Sequence, residues 1–286
     1  MRKTILFLSI LFIAAAAAPA QLISFKLTGG MTWIDGDDYN KGIAGLNRYI
    51  QDTTTTRTGS FRELTNGFHA LGEIIVHTRS GFAVGFGGGY YRLGQDSSVT
   101  GQGMQSDAAF DFSSTYKPRL SVIPLFINLH YFVPLASKAK LDLYAGPLFQ
   151  VVQYTFENPS TTSVDAVSQT VTYTASQTSF GFEAGLGLSC NIMPGVALII
   201  DGCYRNGEAT DLKGNWAVLG TSASGTINKS SAEYYVWAYD YAPGGTYSLV
   251  DFFDANGPAG EFISGARKAV IRLSGITASA GLKIFF

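Results

Sequence analysis

Residues 274–286 read Ser-Gly-Ile-Thr-Ala-Ser-Ala-Gly-Leu-Lys-Ile-Phe-Phe. The even positions Ile276, Ala278, Ala280, Leu282, Ile284 and Phe286 are apolar, while Gly275, Thr277, Ser279, Gly281 and Lys283 between them are small or polar. Successive strand side chains point to opposite faces, so this period of two predicts one greasy face and one wet face. The strand closes the sequence, so no later segment is expected to cover the greasy face. Lipid is the expected cover.

The stretch resembles the C-terminal strand of bacterial outer-membrane β-barrels, in which alternating apolar residues ending in Phe form an insertion signal. The resemblance implies an assembly signal on Leu282, Ile284 and Phe286. It also implies two partners, outer-membrane lipid and the barrel-assembly machinery.

The other end of the chain agrees. Arg2 and Lys3, an apolar run from Ile5 to Ala18 and the small-x-small Ala18-Pro19-Ala20 read as a signal peptide over residues 1–20. The run is too short and too weakly flanked for a spanning helix of ~20 residues. Residues 21–286 then form a single expected barrel domain in the outer membrane. Loss of Arg2 and Lys3 leaves 18 Lys and Arg against 21 Asp and Glu, which gives no basic footprint for nucleic acid. No second apolar helix-length run follows, so a membrane location requires a closed barrel, the only sheet that leaves no backbone group unpaired in lipid. Cys190 and Cys203 are expected on opposite faces as separate thiols.

Alternation predicts eight strands: about 22–33, 67–77, 82–93, 120–133, 140–154, 179–192, 196–206 and 268–286. Strand six is the cleanest, with Phe180, Phe182, Ala184, Leu186 and Leu188 opposing Gly181, Glu183, Gly185, Gly187 and Ser189. Connections alternate between short (near 78–81, 134–139, 193–195) and long (about 34–66, 94–117, 155–178, 207–267). Short turns on one rim and long loops on the other are the pattern of outer-membrane barrels, with the long loops extracellular. The expected fold is therefore all-β, a transmembrane up-and-down antiparallel barrel of eight strands. It resembles the small OmpA and OmpX kind, although its loops are long for that group. Tyr234–Trp237 and Tyr247–Val250 in the last loop predict an extra hairpin above the membrane, or two more wall strands and a ten-stranded barrel.

With apolar residues facing lipid, Lys26, Glu73, Asp142, Glu183, Asp201, Arg205 and Lys283 point inward. Eight strands leave an interior that side chains can fill, so these charges are expected to pair. The register around the 193–195 turn sets Glu183 opposite Arg205, and closure brings Lys283 near Lys26, with Glu73 and Asp201 to neutralise them. His69, Glu73 and His77 share the inward face of strand two. They lie ~13 Å apart at ~3.3 Å per residue, too far to share one metal. Asn128 and His130 resemble the polar pairs of outer-membrane lipid hydrolases but face inward, without a nucleophilic serine on the outer wall. Inward Gly85, Gly87 and Gly89 make room for bulky neighbours such as Leu71 and Tyr91, or for a conduit.

In the first long loop, residues 38–50 predict an amphipathic helix, with Asp38 as N-cap and Ile43, Leu46 and Ile50 on one face. Asp35, Asp37 and Asn40 resemble the start of a calcium loop, but Leu46 stands where its bidentate Glu belongs. Tyr234, Tyr235, Trp237, Tyr239, Tyr241 and Tyr247 in the last loop could bind a surface protein or glycan, or form the loop's own core. The expected function is non-enzymatic, a structural or surface-interaction role through the loops, with no cofactor or metal. A small channel or carrier for hydrophobic solutes is the alternative, and an envelope-lipid enzyme the third reading.

Overall fold

A computed structural model describes residues 23–78, 81–105, 108–163, 167–220, 227–241, 245–254 and 256–286. The signal-peptide reading of residues 1–20, the Arg79–Ser80 part of the first turn and the Tyr241 side chain lie outside this description. In chain order the strands are β1 (Ile23–Ile34), β2 (Thr54–Gly59), β3 (Asn66–His77), β4 (Phe82–Leu93), β5 (Ser97–Gln105), β6 (Ala108–Pro134), β7 (Ala139–Thr162) and β8 (Val167–Met193). They continue with β9 (Val196–Asn206), β10 (Glu208–Ala209), β11 (Lys213–Gly220), β12 (Ile227–Tyr241), β13 (Gly245–Phe253), β14 (Ile263–Lys268), β15 (Ile271–Arg272) and β16 (Gly275–Phe285). One helix, α1 (Asp38–Thr53), lies between β1 and β2.

Eight strands close a ring, in the order β1, β3, β4, β6, β7, β8, β9, β16 and back to β1, with every pairing antiparallel. At the seam Lys26 is level with Lys283 on one side and Glu73 on the other. The Phe286 amide donates to the Ile23 carbonyl at 2.8 Å, which carries the closure to the rim. The outside of the ring is greasy: Leu27, Phe68, Ile74, Leu125, Leu129, Leu186, Ile200, Ile276 and Leu282 are all exposed. Aromatic residues edge this belt. Trp33 and Tyr204 both pair with Ile276 near one rim, and Phe82 pairs with Tyr131 near the other. A monomer in water rarely shows so continuous an apolar surface, whereas a membrane barrel requires it.

The expected boundaries of three wall strands are too short. β6, β7 and β8 run 27, 24 and 27 residues, well past the length that crosses a bilayer. The segments 94–117 and 155–178, expected as loops, are largely sheet that continues the wall upward. Their alternation persists, but its content inverts. On β7, Leu143, Phe149 and Val151 face out while Asp142 and Tyr144 face in; above them Gln153 and Glu157 face out while Val152, Tyr154 and Phe156 are buried. On β8 the outward face changes from Phe180 to Thr178, Ser176 and Thr174, and the inward face from Glu183 to Ala175 and Tyr173. The register levels these switches, pairing Ile123 with Val151 and Val151 with Thr178.

Above the switch the structure is a crown with its own apolar core, which includes Ile43, Leu64, Tyr154, Phe156, Tyr173, Tyr234 and Phe252. β11 pairs with the upper part of β8, β12 with β11, and both β13 and β14 with β12. Tyr234–Trp237 and Tyr247–Val250 thus form the hairpin above the membrane, and the ring does not gain them as wall strands. Helix α1 lies on β13. A Cβ on Gly42 would collide with the Val250 side chain and one on Gly45 with the Ser248 carbonyl, so only glycine allows this approach.

The expected Asp38 cap is corrected. The cap position is Asp37, with φ of +38°, and no side chain caps the helix. Asp38 instead accepts two bonds from Arg267, at 2.6 and 2.7 Å, and one from the Val270 amide at 2.8 Å. Burial alone would raise the Asp38 carboxyl, but these donors hold it below its ordinary value.

Candidate functional site

The seven inward charges are all buried, and six of them interlock. Lys26 Nζ lies 2.7 Å from Asp201 Oδ2 and 3.8 Å from Glu73 Oε2. Tyr144 donates its hydroxyl to Asp201 Oδ1 at 2.6 Å. Arg205 Nε donates to Glu183 Oε2 at 2.7 Å, and Asn128 Nδ2 reaches Glu183 Oε1 at 2.7 Å. Rings cover the cations: Tyr144 lies 4.7 Å from Lys26, and Tyr91 4.7 Å from Arg205. These strands hold the geometry because their inward residues arrive every second position at levels fixed by the register.

Two residues do not follow the sequence-based expectation. Lys283 has no carboxylate within ion-pair distance among the described residues; its ammonium sits 4.1 Å from the centre of the Phe132 ring. His130, read from the sequence only as part of an inward pair with Asn128, bridges the network. Its Nε2 lies 2.8 Å from Glu73 Oε1 and its Nδ1 2.9 Å from Asp142 Oδ1. Ionised carboxylates only accept, so with both partners ionised both ring nitrogens must donate, and the ring is an imidazolium. Lys26, Arg205, Lys283 and His130 then match Glu73, Asp142, Glu183 and Asp201 one for one. Such matching is what an interior of low dielectric demands.

The network fills the lumen. The cavity among Lys26, Glu73, Asn128, Glu183, Asp201 and Arg205 measures about 10 Å³, and the one above it, beside Tyr91 and Gln150, about 20 Å³. Either has room for about one water. The inward glycines are filled rather than open. A Cβ at Gly85 would strike the Glu73 carboxylate and the His130 ring, and one at Gly87 would strike Phe126. These neighbours occupy the space at Gly85 and Gly87, while at Gly89 it is the expected Leu71, whose Cδ2 a Cβ would approach to 2.7 Å.

The remaining candidates disperse. His77 is hydrogen-bonded to Ser24 Oγ at 2.8 Å near one rim, and His69 packs against Tyr91 at 5.4 Å, so the histidine row does not converge. The aspartates of the calcium-like segment are held by arginine: Arg272 lies 3.1 Å from Asp35 and 3.0 Å from Asp37. Tyr234 belongs to the crown's core, and Tyr235, Trp237 and Tyr247 are also buried. Cys190 is exposed and Cys203 buried, on opposite faces.

Solved structures similar to this chain include two outer-membrane proteins. A major outer membrane protein from Thermus thermophilus aligns over 93% of this chain and 100% of its own, at 13% identity and a TM-score of 0.36. The outer membrane protease OmpT from Escherichia coli aligns over 94% of this chain and 98% of its own, at 8% identity and a TM-score of 0.32. Scores this low transfer no activity, and the barrel rests on the chain's own strand pairing. No family model and no curated protein matches the chain.

Proposed function

We infer that the protein sits in an outer membrane as a non-enzymatic barrel closed through its lumen, and that the crown is its working part. The observation that carries this reading is the lumen network, among whose charged side chains a gap of only about 10 Å³ is left. An open conduit would need those ion pairs to part, leaving buried charges unpaired at a cost of several kcal/mol. The apolar belt supports the membrane location. Outward-facing Leu282 and Ile284, ending on exposed Phe286, support recognition by the assembly machinery. The crown's surface is then the face offered to other molecules.

Planar-bilayer recording of the purified barrel tests the reading, with electrically silent membranes expected. Reproducible unitary currents would replace it with the channel reading.

A further inference from the structure

The crown holds a chemically distinctive, partly open space. A cavity of about 120 Å³ lies between α1, β7, β8 and the β12–β13 hairpin. Tyr39, Tyr154, Tyr173, Tyr234 and Trp237 line it, and among the described residues Asp251 is the one charged side chain in the lining. Asp251 pairs with no Lys, Arg or His among the described residues. Its contacts are a hydrogen bond from the adjacent Phe252 amide at 2.8 Å and one from the Tyr173 hydroxyl. The Tyr234 side chain is 3% exposed, yet its hydroxyl meets no hydrogen-bond partner among the described residues. A buried hydroxyl left this way costs free energy, so its persistence beside a cavity marks a place where something else supplies the partner.

These features select a ligand class. Aromatic faces carry negative potential and attract cations, most strongly where water is excluded. A lone carboxylate adds a full negative charge, and no described lining residue is basic, so anions are disfavoured. The volume of about 120 Å³ is far above the 10–15 Å³ that holds one water and is on the scale of a small organic group. A bare metal ion would find one carboxylate and rings where it needs several oxygens. A compact organic cation with an apolar shell suits the rings and the carboxylate, and a hydroxyl on its tail supplies the partner that Tyr234 lacks.

We propose that this crown cavity binds a trimethylammonium-type organic cation, with Asp251 as counter-ion and the tyrosine and tryptophan rings as its cage. This deepens the reading of the crown as the working part and rests on it. It does not depend on whether the lumen conducts, so bilayer currents and cation binding fail separately.

The test is isothermal titration of the full-length barrel in a nonionic detergent, because phosphocholine detergents carry the same head group. Choline is compared with its neutral isostere 3,3-dimethylbutan-1-ol and with potassium ion. Saturable choline binding is expected, with the isostere and potassium each at least about tenfold weaker, a step of about 1.4 kcal/mol. Asp251→Asn should weaken choline by about tenfold or more, while Asp240→Asn, at an exposed site outside the cavity, should not. Equal binding of choline and the isostere would overturn the cation assignment, as would potassium competing equally with choline. Absence of choline binding to a barrel that still shows the heat-modifiable gel shift would overturn the site itself. The wild-type comparison needs no variant, so misfolding of Asp251→Asn leaves the test intact.

Discussion

The barrel and the crown are built from the same strands, yet they are inside-out versions of each other. In the barrel β7 turns Leu143 and Val151 outward and Asp142 and Tyr144 inward. A few residues higher it turns Gln153 and Glu157 outward and buries Tyr154 and Phe156. The backbone does not change; the solvent does. Lipid outside forces charge into the lumen, where it must be matched, and water outside lets the crown bury rings as a soluble domain does. The lumen is therefore held by pairings of defined geometry, the crown by packing of apolar area. The two should respond differently to the same kind of change.

The largest contrast comes from breaking a lumen pair. Arg205→Glu would face Glu183 with a like charge, and removing one partner of a buried pair already costs about 3–5 kcal/mol. A steep fall in the unfolding temperature in detergent is expected; an unchanged temperature would show that charge does not hold the lumen. Replacing the pair together, as Glu183→Leu with Arg205→Met, should recover most of that loss, since an apolar pair leaves no uncompensated charge. His130→Phe strands Glu73 and Asp142 in the same way and should fall between these two variants.

The outer face gives the next contrast. Leu186→Arg, in the middle of the belt, should cost about 2–4 kcal/mol in folding titrations from lipid vesicles. Thr174→Arg, on the same face of β8 but above the switch, should stay within about ±0.5 kcal/mol. Equal costs would mean that lipid does not end where the content inverts.

The smallest effect is a pH dependence in the crown. Burial raises the Asp251 carboxyl from 3.8 to about 6, although bonds from the Phe252 amide and Tyr173 pull it back. Between those values the folded chain binds more protons than the unfolded one. Stability from this group is therefore full below about pH 4 and is lost as pH rises through about 6. The facing phenols of Tyr39, Tyr116, Tyr154, Tyr173 and Tyr234 are all raised and stay neutral across that window. Asp251→Asn should consequently gain roughly 1–2 kcal/mol over the wild type above pH ~6, after allowance for its partial exposure. Denaturant midpoints for both proteins at acidic and neutral pH check this.

The eight-strand ring was legible because each wall strand repeats one contrast, apolar out and polar in, and because a fixed register follows from a short turn. The Glu183–Arg205 pairing could be counted from the Pro194 turn alone. The upper halves of β6, β7 and β8 were not legible by the same test. Their outward Thr172, Thr174, Ser176 and Thr178 look like loop composition to a search for apolar outward positions. Yet the period of two never stops there, and a test blind to its sign would have found them. His130 was missed for another reason: parity placed it inside but says nothing about which residues on β3 and β7 meet it. The crown cavity had no local signal, since Asp251, Tyr173 and Tyr39 converge only through long-range pairing.

The level at which the content inverts also fixes a stand-off distance. Thr178 is the first polar outward residue of β8, and the strand continues to Val167, eleven residues beyond. At ~3.3 Å per residue that is about 36 Å along the strand, or about 25 Å of height if the strand leans by ~45°. The wall is hydrogen-bonded to its neighbours over nearly all of that length, so the crown stands as a braced mast without a hinge at its foot. Whatever the crown holds is carried clear of the membrane surface at one height and in one orientation.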